Sequence, residues 1–239
     1  MIVGYKFEKF RLGMVVPNLD DSSLLGEFQI LNFSMASVVS PIKDSVDDIF
    51  TLKQVHGTDA VFIENGKIYY FDSVNDFSYS LKRTFEADSV ITVDRGINIG
   101  IRSADCAPIM FYVDGVVGGI HAGWRGLKSG IINKTLRLVS ERYNVNPSDG
   151  VYFILPCIHS CCYEVGKEFL EWAKDFCLVR GDKVYFDIPK FILSELVGLG
   201  VKEDNIYYSP LCTSCYSNVL PSYRATKTEN RIESYISLI

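Results

Sequence analysis

Between Val90 and Ile120 the apolar positions fall into four short runs, Val90–Thr92, Ile97–Arg102, Pro108–Tyr112 and Val116–Ile120, separated by Gly, Asp or Pro. Ile97, Ile99 and Ile101 alternate with Asn98, Gly100 and Arg102, the period of two expected of a half-buried strand. Asp114-Gly115 between two of the runs is a strong hairpin signal. The period then changes. Ile132, Leu136, Val139 and Tyr143 stand at helical spacing, and Val151–Leu155 reads as another strand. Val165, Phe169, Trp172 and Phe176 repeat the helical spacing, as do Ile188, Ile192 and Leu196. Pro189 suits the first turn of that last helix, where its missing N–H costs little, and Asp187 suits its cap.

The first third is less regular. Tyr5–Val16 is rich in aromatic and β-branched residues and reads as strand, and Glu27–Phe33 alternates loosely. Asp44–Leu52 is compatible with a short helix carrying Val46, Ile49 and Phe50 on one face. Strands and helices are mixed, and hairpins outnumber βαβ crossovers. The pattern predicts one α+β domain over residues 1–239.

Composition narrows the function classes. At 239 residues, 48% hydrophobic and 22% charged, the chain is an ordinary globular one that needs no disulfide or structural metal to fold. A net charge of −5 offers no basic footprint for nucleic acid. No apolar run reaches the roughly 18 residues of a membrane span. The N-terminal residues lack the layout of a signal peptide. Seven irregularly spaced cysteines read as reduced thiols in a cytoplasm rather than as a disulfide scaffold.

Chemistry gathers around three histidines, of which two lie in unusual surroundings: Gln54-Val55-His56-Gly57 and His121-Ala122-Gly123-Trp124-Arg125-Gly126. Between them Ser103-Ala104-Asp105-Cys106-Ala107-Pro108 closes the alternating strand. Strand ends followed by turns project side chains into clefts. Two imidazoles and a thiolate at His56, His121 and Cys106 suit zinc or copper with a fourth position open. The spacing matches no metal finger, so the same residues also fit a buried thiol and satisfied core histidines. Arg125, at a glycine-rich helix entry, could hold a phosphate or carboxylate or lie at the surface. Cys212-Thr213-Ser214-Cys215 is a C-x-x-C with no second such pair to complete a four-cysteine site, so it reads as structural thiols that bind no metal. The adjacent Cys161-Cys162 are poorly placed to bridge each other.

These segments, in order, resemble one family: Q-V-H-G, A-D-S-V-I-T, S-A-D-C-A-P, H-A-G-W-R-G, P-C-x-x-x-C-C-Y-E-V-G and S-Y-R, running from about Gln54 to Arg231. The order is similar to the multicopper polyphenol oxidase (laccase-domain) family, whose members are described as cytoplasmic purine nucleoside phosphorylases with adenosine deaminase activity. The resemblance implies a layered α/β sandwich and a zinc, with copper as the other option, on His56, Cys106 and His121. It implies purine nucleoside and phosphate as partners, with neither nucleic acid nor membrane, and nothing demands more than a monomer. Asp105, beside Cys106, becomes the candidate for acid/base work or for bracing a metal-bound imidazole. Arg125 and Arg224 become candidates for phosphate or ribose.

The sequence also departs from the family. Leu155, His159 and Ser160 replace two glycines and a proline, Leu220-Pro221 replaces an aromatic pair, Ala225 replaces an arginine, and only Ile30–Phe33 approaches an N-terminal signature. Three further readings stay open: a copper-dependent phenol oxidase at the same ligands, a cysteine hydrolase with Cys106 as nucleophile and His121 as base, and a binding module without turnover. The first is disfavoured because three histidines cannot build several copper sites. Metal content separates the second.

Overall fold

The computed structural model describes residues 2–17 and 48–239. Its centre is an eight-stranded sheet in which Ala107–Val113 lies between Val151–Ile154 and Val116–Ala122. Alternation along Ala107–Val113 decides the layering. Ile109, Phe111 and Val113 point to one side, into a core formed with Leu136 and Val139 of the helix Ile131–Tyr143 and Ile192 and Leu196 of the helix Ile188–Gly198. Met110 points to the other side, where it meets Leu12, Ile99, Ile101 and Ile236 of a five-stranded sheet. Both faces of the central sheet are covered, which is why its strands read as nearly continuous apolar runs. The result is a helix layer, a large mixed sheet and a second sheet, the layered α+β arrangement that the pattern and the resemblance predict.

Most strand pairs are antiparallel. Residues 113 and 116 pair across the two-residue turn Asp114-Gly115, whose φ values of 41° and 85° are the left-handed pair this turn needs. Three pairings are parallel: Ala60–Glu64 with Ser89–Thr92, Val151–Ile154 with Ile206–Tyr208, and Phe50–Thr51 with Ile99–Ser103. The helix Ile188–Gly198 lies on the crossover between Val151–Ile154 and Ile206–Tyr208. Pro189 occupies its first turn, and the Asp187 carboxylate accepts the Lys190 N–H at 3.0 Å, as the sequence predicts.

Two expected elements are corrected. The helix expected over Asp44–Leu52 is absent where the chain is described: Phe50–Thr51 is a strand beside Ile99–Gly100, with Ile49, Phe50 and Leu52 all buried. The remainder of that segment, and the expected strand Glu27–Phe33, lie outside the described residues. The helix expected from Val165 to Phe176 is only Phe169–Trp172 followed by a 3-10 turn at Lys174–Phe176, and Val165 pairs with Val184 in a small three-stranded sheet. The helical spacing there reflects aromatic packing, because Phe169 and Trp172 pack against Phe186, and Trp172 and Phe176 against Phe191. Tertiary contacts override the local period.

Candidate metal centre

Three strand ends and one loop meet at a single point. His121 closes the strand Val116–Ala122, Cys106 sits in the turn between Ile99–Ser103 and Ala107–Val113, and His56 lies in the loop before Ala60–Glu64. Gln54 fixes that loop by acting as a strand partner: its side chain donates to the Arg102 carbonyl at 2.8 Å and accepts the Arg102 N–H at 2.9 Å. His56 has a φ of 62° and Asp105 a φ of 96°, both left-handed. For residues other than glycine this costs about 1–3 kcal/mol each, and such strain clusters at functional sites.

Ligand atoms of His56, Cys106 and His121 all lie within 4.8 Å of one another. The two rings meet edge to face with centroids 4.9 Å apart. Gly123 leaves room for them, since a Cβ there would lie 3.0 Å from the His56 ring and 3.1 Å from the Cys106 sulfur.

Asp88 organises the centre. Its carboxylate is fully buried, and Oδ1 lies 2.8 Å from His121 Nδ1. The same carboxylate accepts the backbone N–H groups of Val55, His56 and Gly57 at 3.2, 3.0 and 2.6 Å. A buried carboxylate is tolerated only when paired and hydrogen-bonded in this way. Burial works against its ionisation, but His121 and the backbone donors outweigh that and hold it below the usual carboxylate value. Through Nδ1 Asp88 fixes the ring's tautomer and orientation and directs Nε2 to the cluster, the usual arrangement around metal-binding histidines.

Burial also opposes charge on Cys106 and His121. Their mutual attraction, aided by hydrogen bonds from His56 and Asp88, prevails: the thiol comes down to about 6 and the imidazole rises to about 9. At neutral pH the thiolate, the form that ligates metal, therefore predominates beside an imidazolium, and a metal binding there would displace the His121 Nε2 proton. Two imidazoles and a thiolate, preoriented and close together, fit a zinc-type donor set with one position left over. Asp88→Asn removes the charge behind His121 and sets an amide N–H₂ against backbone donors. Zinc affinity, measured by chelator competition, is expected to fall roughly 10–100-fold. Unchanged affinity would show that Asp88 does not tune the site.

The centre opens into a cavity of about 640 Å³, within the range of small-molecule sites. Lys53, Arg83, Arg102, Arg125, Arg224 and Arg231 line it, and Trp124, Tyr163 and Tyr223 add aromatic surface. Arg102 is paired with Glu233 at 3.1 Å. Arg125 stacks on Trp124, and Arg224 lies over Tyr163 while donating to the Glu164 carbonyl at 3.0 Å. Among the described residues no carboxylate lies within ion-pair distance of Arg125, Arg224 or Arg231. Such a cleft focuses anions. Burial pushes the Tyr163 hydroxyl up, with the nearby Cys106 charge adding to it, so it stays protonated and available as a donor.

Asp105 also lines the cavity, but its oxygens are already engaged. Oδ1 accepts the hydroxyls of Thr213 and Ser222, both at 2.7 Å, and Oδ2 accepts the Arg224 N–H at 2.6 Å. Three accepted bonds leave one of the roughly four acceptor positions of a carboxylate. The role of bracing an imidazole, one of two considered for Asp105, is filled by Asp88. Sequence reasoning assigned Asp88 no role, although Ala87-Asp88-Ser89 opens one of the segments that carry the resemblance.

A family model described as multi-copper polyphenol oxidoreductase laccase matches residues 33–239. The chain belongs to this family. Among its relatives, a protein of Aquifex aeolicus named purine nucleoside phosphorylase is 40% identical over 154 residues, 64% of this chain and 72% of the relative. One of the same name from Borreliella burgdorferi is 33% identical over 207 residues, covering 77% and 88%. The crystal structure of the Bacillus licheniformis hypothetical protein YfiH superposes with a TM-score of 0.71 at 25% identity, over 82% of this chain and 76% of that one. The matched range contains His56, Cys106 and His121, and the fold agrees with that of the solved relative. Among the described residues no helix is long and apolar enough to cross a membrane.

Proposed function

We propose that this chain is a zinc-dependent purine nucleoside phosphorylase, acting on adenosine, inosine, guanosine and methylthioadenosine, with adenosine deaminase activity at the same centre. It works as a single-domain monomer in the cytoplasm. The observation that carries the reading is the His56–Cys106–His121 cluster at the floor of a cation-lined cavity of nucleoside size. The names of its relatives support the phosphorylase part of this reading. The donor set favours zinc, while copper at the same ligands would correspond to the oxidase named in the family's description.

Zinc bound to His56, Cys106 and His121 would supply Lewis-acid polarisation of a substrate atom at its fourth position. The chain's own groups would do the remainder. Arg125 and Arg224 hold phosphate, and Trp124, Tyr163 and Tyr223 offer flat surfaces to the purine. In phosphorolysis a phosphate oxygen bonds to C1′ as the C1′–N9 bond breaks and its electron pair passes to the purine. A proton at N7 eases that departure, and Asp105 is the candidate to relay it, taking a proton from the attacking hydrogen phosphate at its remaining acceptor position and passing it to N7. In deamination a water oxygen would bond to C6 as the C6–N6 bond breaks, and the same carboxylate would take a proton from that water and pass it to the leaving ammonia.

A second reading draws on the Asp88–His121–Cys106 alignment, which also suits a cysteine nucleophile with its base and orienting carboxylate. A cysteine held by a metal does not attack, so metal content separates the two. The test of the main reading is turnover of inosine by zinc-loaded protein while phosphate is varied. Base release that rises with phosphate and saturates is expected, with Arg125→Ala and Arg224→Ala raising the phosphate KM about tenfold, the scale of one charge-assisted hydrogen bond. Base release equal with and without phosphate contradicts the reading.

A further inference from the structure

Outside this centre the fold assembles four cysteines from two separate loops. Cys161 and Cys162 lie in the turn closed by the Cys162 N–H to His159 carbonyl bond at 2.9 Å. Cys212 and Cys215 lie in the turn closed by the Tyr216 N–H to Cys212 carbonyl bond at 3.1 Å. The sulfurs of all four lie within 4.8 Å of one another. The expectation that Cys212–Cys215 has no second pair is thereby corrected: the adjacent Cys161-Cys162 supply it across the fold.

We propose that Cys161, Cys162, Cys212 and Cys215 bind a second, structural zinc ion, independently of the ligand set at His56, Cys106 and His121. The distances separate this from the alternatives. Cys215 Sγ lies 3.4 Å from Cys161 Sγ and 3.4 Å from Cys162 Sγ, far beyond the bond length of about 2.05 Å in a disulfide. A tetrahedral zinc with Zn–S bonds of about 2.3 Å sets its sulfurs about 3.8 Å apart, and the cluster brackets that value. Cys212, the buried member, accepts the His159 backbone N–H at 3.4 Å, an N–H···S bond of the kind that supports a ligating thiolate. Four sulfurs leave no coordination position for substrate, which makes the site structural.

Its place in the fold gives it a task. One loop carries Ile158 and Tyr163 into the cavity wall, and the other carries Thr213, whose hydroxyl donates to Asp105. Among the described residues their backbones are linked by the isolated bridge between Cys157 and Cys212 and the Thr213 N–H to Cys157 carbonyl bond at 3.0 Å, beside the His159 N–H to Cys212 sulfur bond. A metal clip at the four sulfurs ties the loops together and holds the cradle around Asp105.

The test counts metal in variants. Wild-type protein purified without chelator is expected to hold about two zinc ions per chain, Cys106→Ala about one, and Cys106→Ala with Cys161→Ser and Cys215→Ser almost none. Cys161 and Cys215 are the exposed members, so their replacement leaves the core intact. A second readout needs no change to the cluster: Cys106→Ala loaded with cobalt should show the intense thiolate-to-metal absorption of a tetrahedral four-sulfur site. The proposal is overturned if adding the two serine changes leaves the zinc content unchanged, if the cobalt protein lacks that absorption, or if mass spectrometry in reducing buffer finds two of the four cysteines bridged.

Discussion

Replacing Cys106 with alanine is expected to remove one zinc equivalent per chain and to lower nucleoside turnover roughly 10³-fold. The sulfur is the only anionic donor among His56, Cys106 and His121, and it is close enough to both rings to shift its own ionisation and that of His121. Alanine leaves two imidazoles, of which His121 no longer has the thiolate opposite it. The Lewis-acid contribution of a bound metal is several kcal/mol, and each 1.36 kcal/mol is a factor of ten, which gives the stated scale. Elemental analysis and turnover on the same preparation measure both quantities. Alanine protein with its full metal content and near-native turnover would remove Cys106 from the ligand set. Lost turnover with unchanged metal in both proteins would favour the cysteine nucleophile instead.

The second large effect is expected at Asp105. Asparagine keeps an oxygen for the Thr213 and Ser222 hydroxyls but turns an amide N–H₂ toward the Arg224 N–H, which now has an acceptor at 2.6 Å. It also removes the proton-carrying carboxylate. Turnover at saturating zinc should fall by roughly 10²–10⁴, the range of general acid–base catalysis, while zinc content stays at the wild-type level. The pH profile divides the two contributions. Loss of a proton carrier removes the limb of the profile that reports its ionisation, whereas misplacement of Arg224 alone leaves the shape and raises the phosphate KM. Near wild-type turnover at saturating zinc would show that Asp105 carries neither function.

Much of the central sheet was legible in the sequence because its signals are local. The Asp114-Gly115 turn, the alternation at Ile99 and Ile101, and the Asp187–Pro189 helix start each depend on neighbours in the chain. Asn65-Gly66, between Ala60–Glu64 and Lys67–Tyr70, carries the same kind of local hairpin signal but is not among the elements expected above, and the fold shows its left-handed Asn65. Phe50 and Val165 show the opposite: strand pairing with Ile99 and Val184, both distant in sequence, overrides their local helical spacing. The site divides in the same way. His56, Cys106 and His121 stand out by residue type and by their places at strand ends, but their separations carry no metal signature, so the resemblance is what favours a metal over satisfied core residues. Asp88 gave no separate signal, since a buried carboxylate and a surface one look alike in one sequence. The four cysteines were hidden because one pair is adjacent instead of C-x-x-C, and only the fold brings it to Cys212 and Cys215.

The most direct measurement of the central claim is phosphorus NMR of a reaction containing metal-quantified protein, inosine and inorganic phosphate. The account predicts conversion of the phosphate signal into that of a sugar 1-phosphate, in step with hypoxanthine release and dependent on the metal. Hypoxanthine appearing with free ribose and unconsumed phosphate, or no reaction by fully zinc-loaded protein, would contradict it.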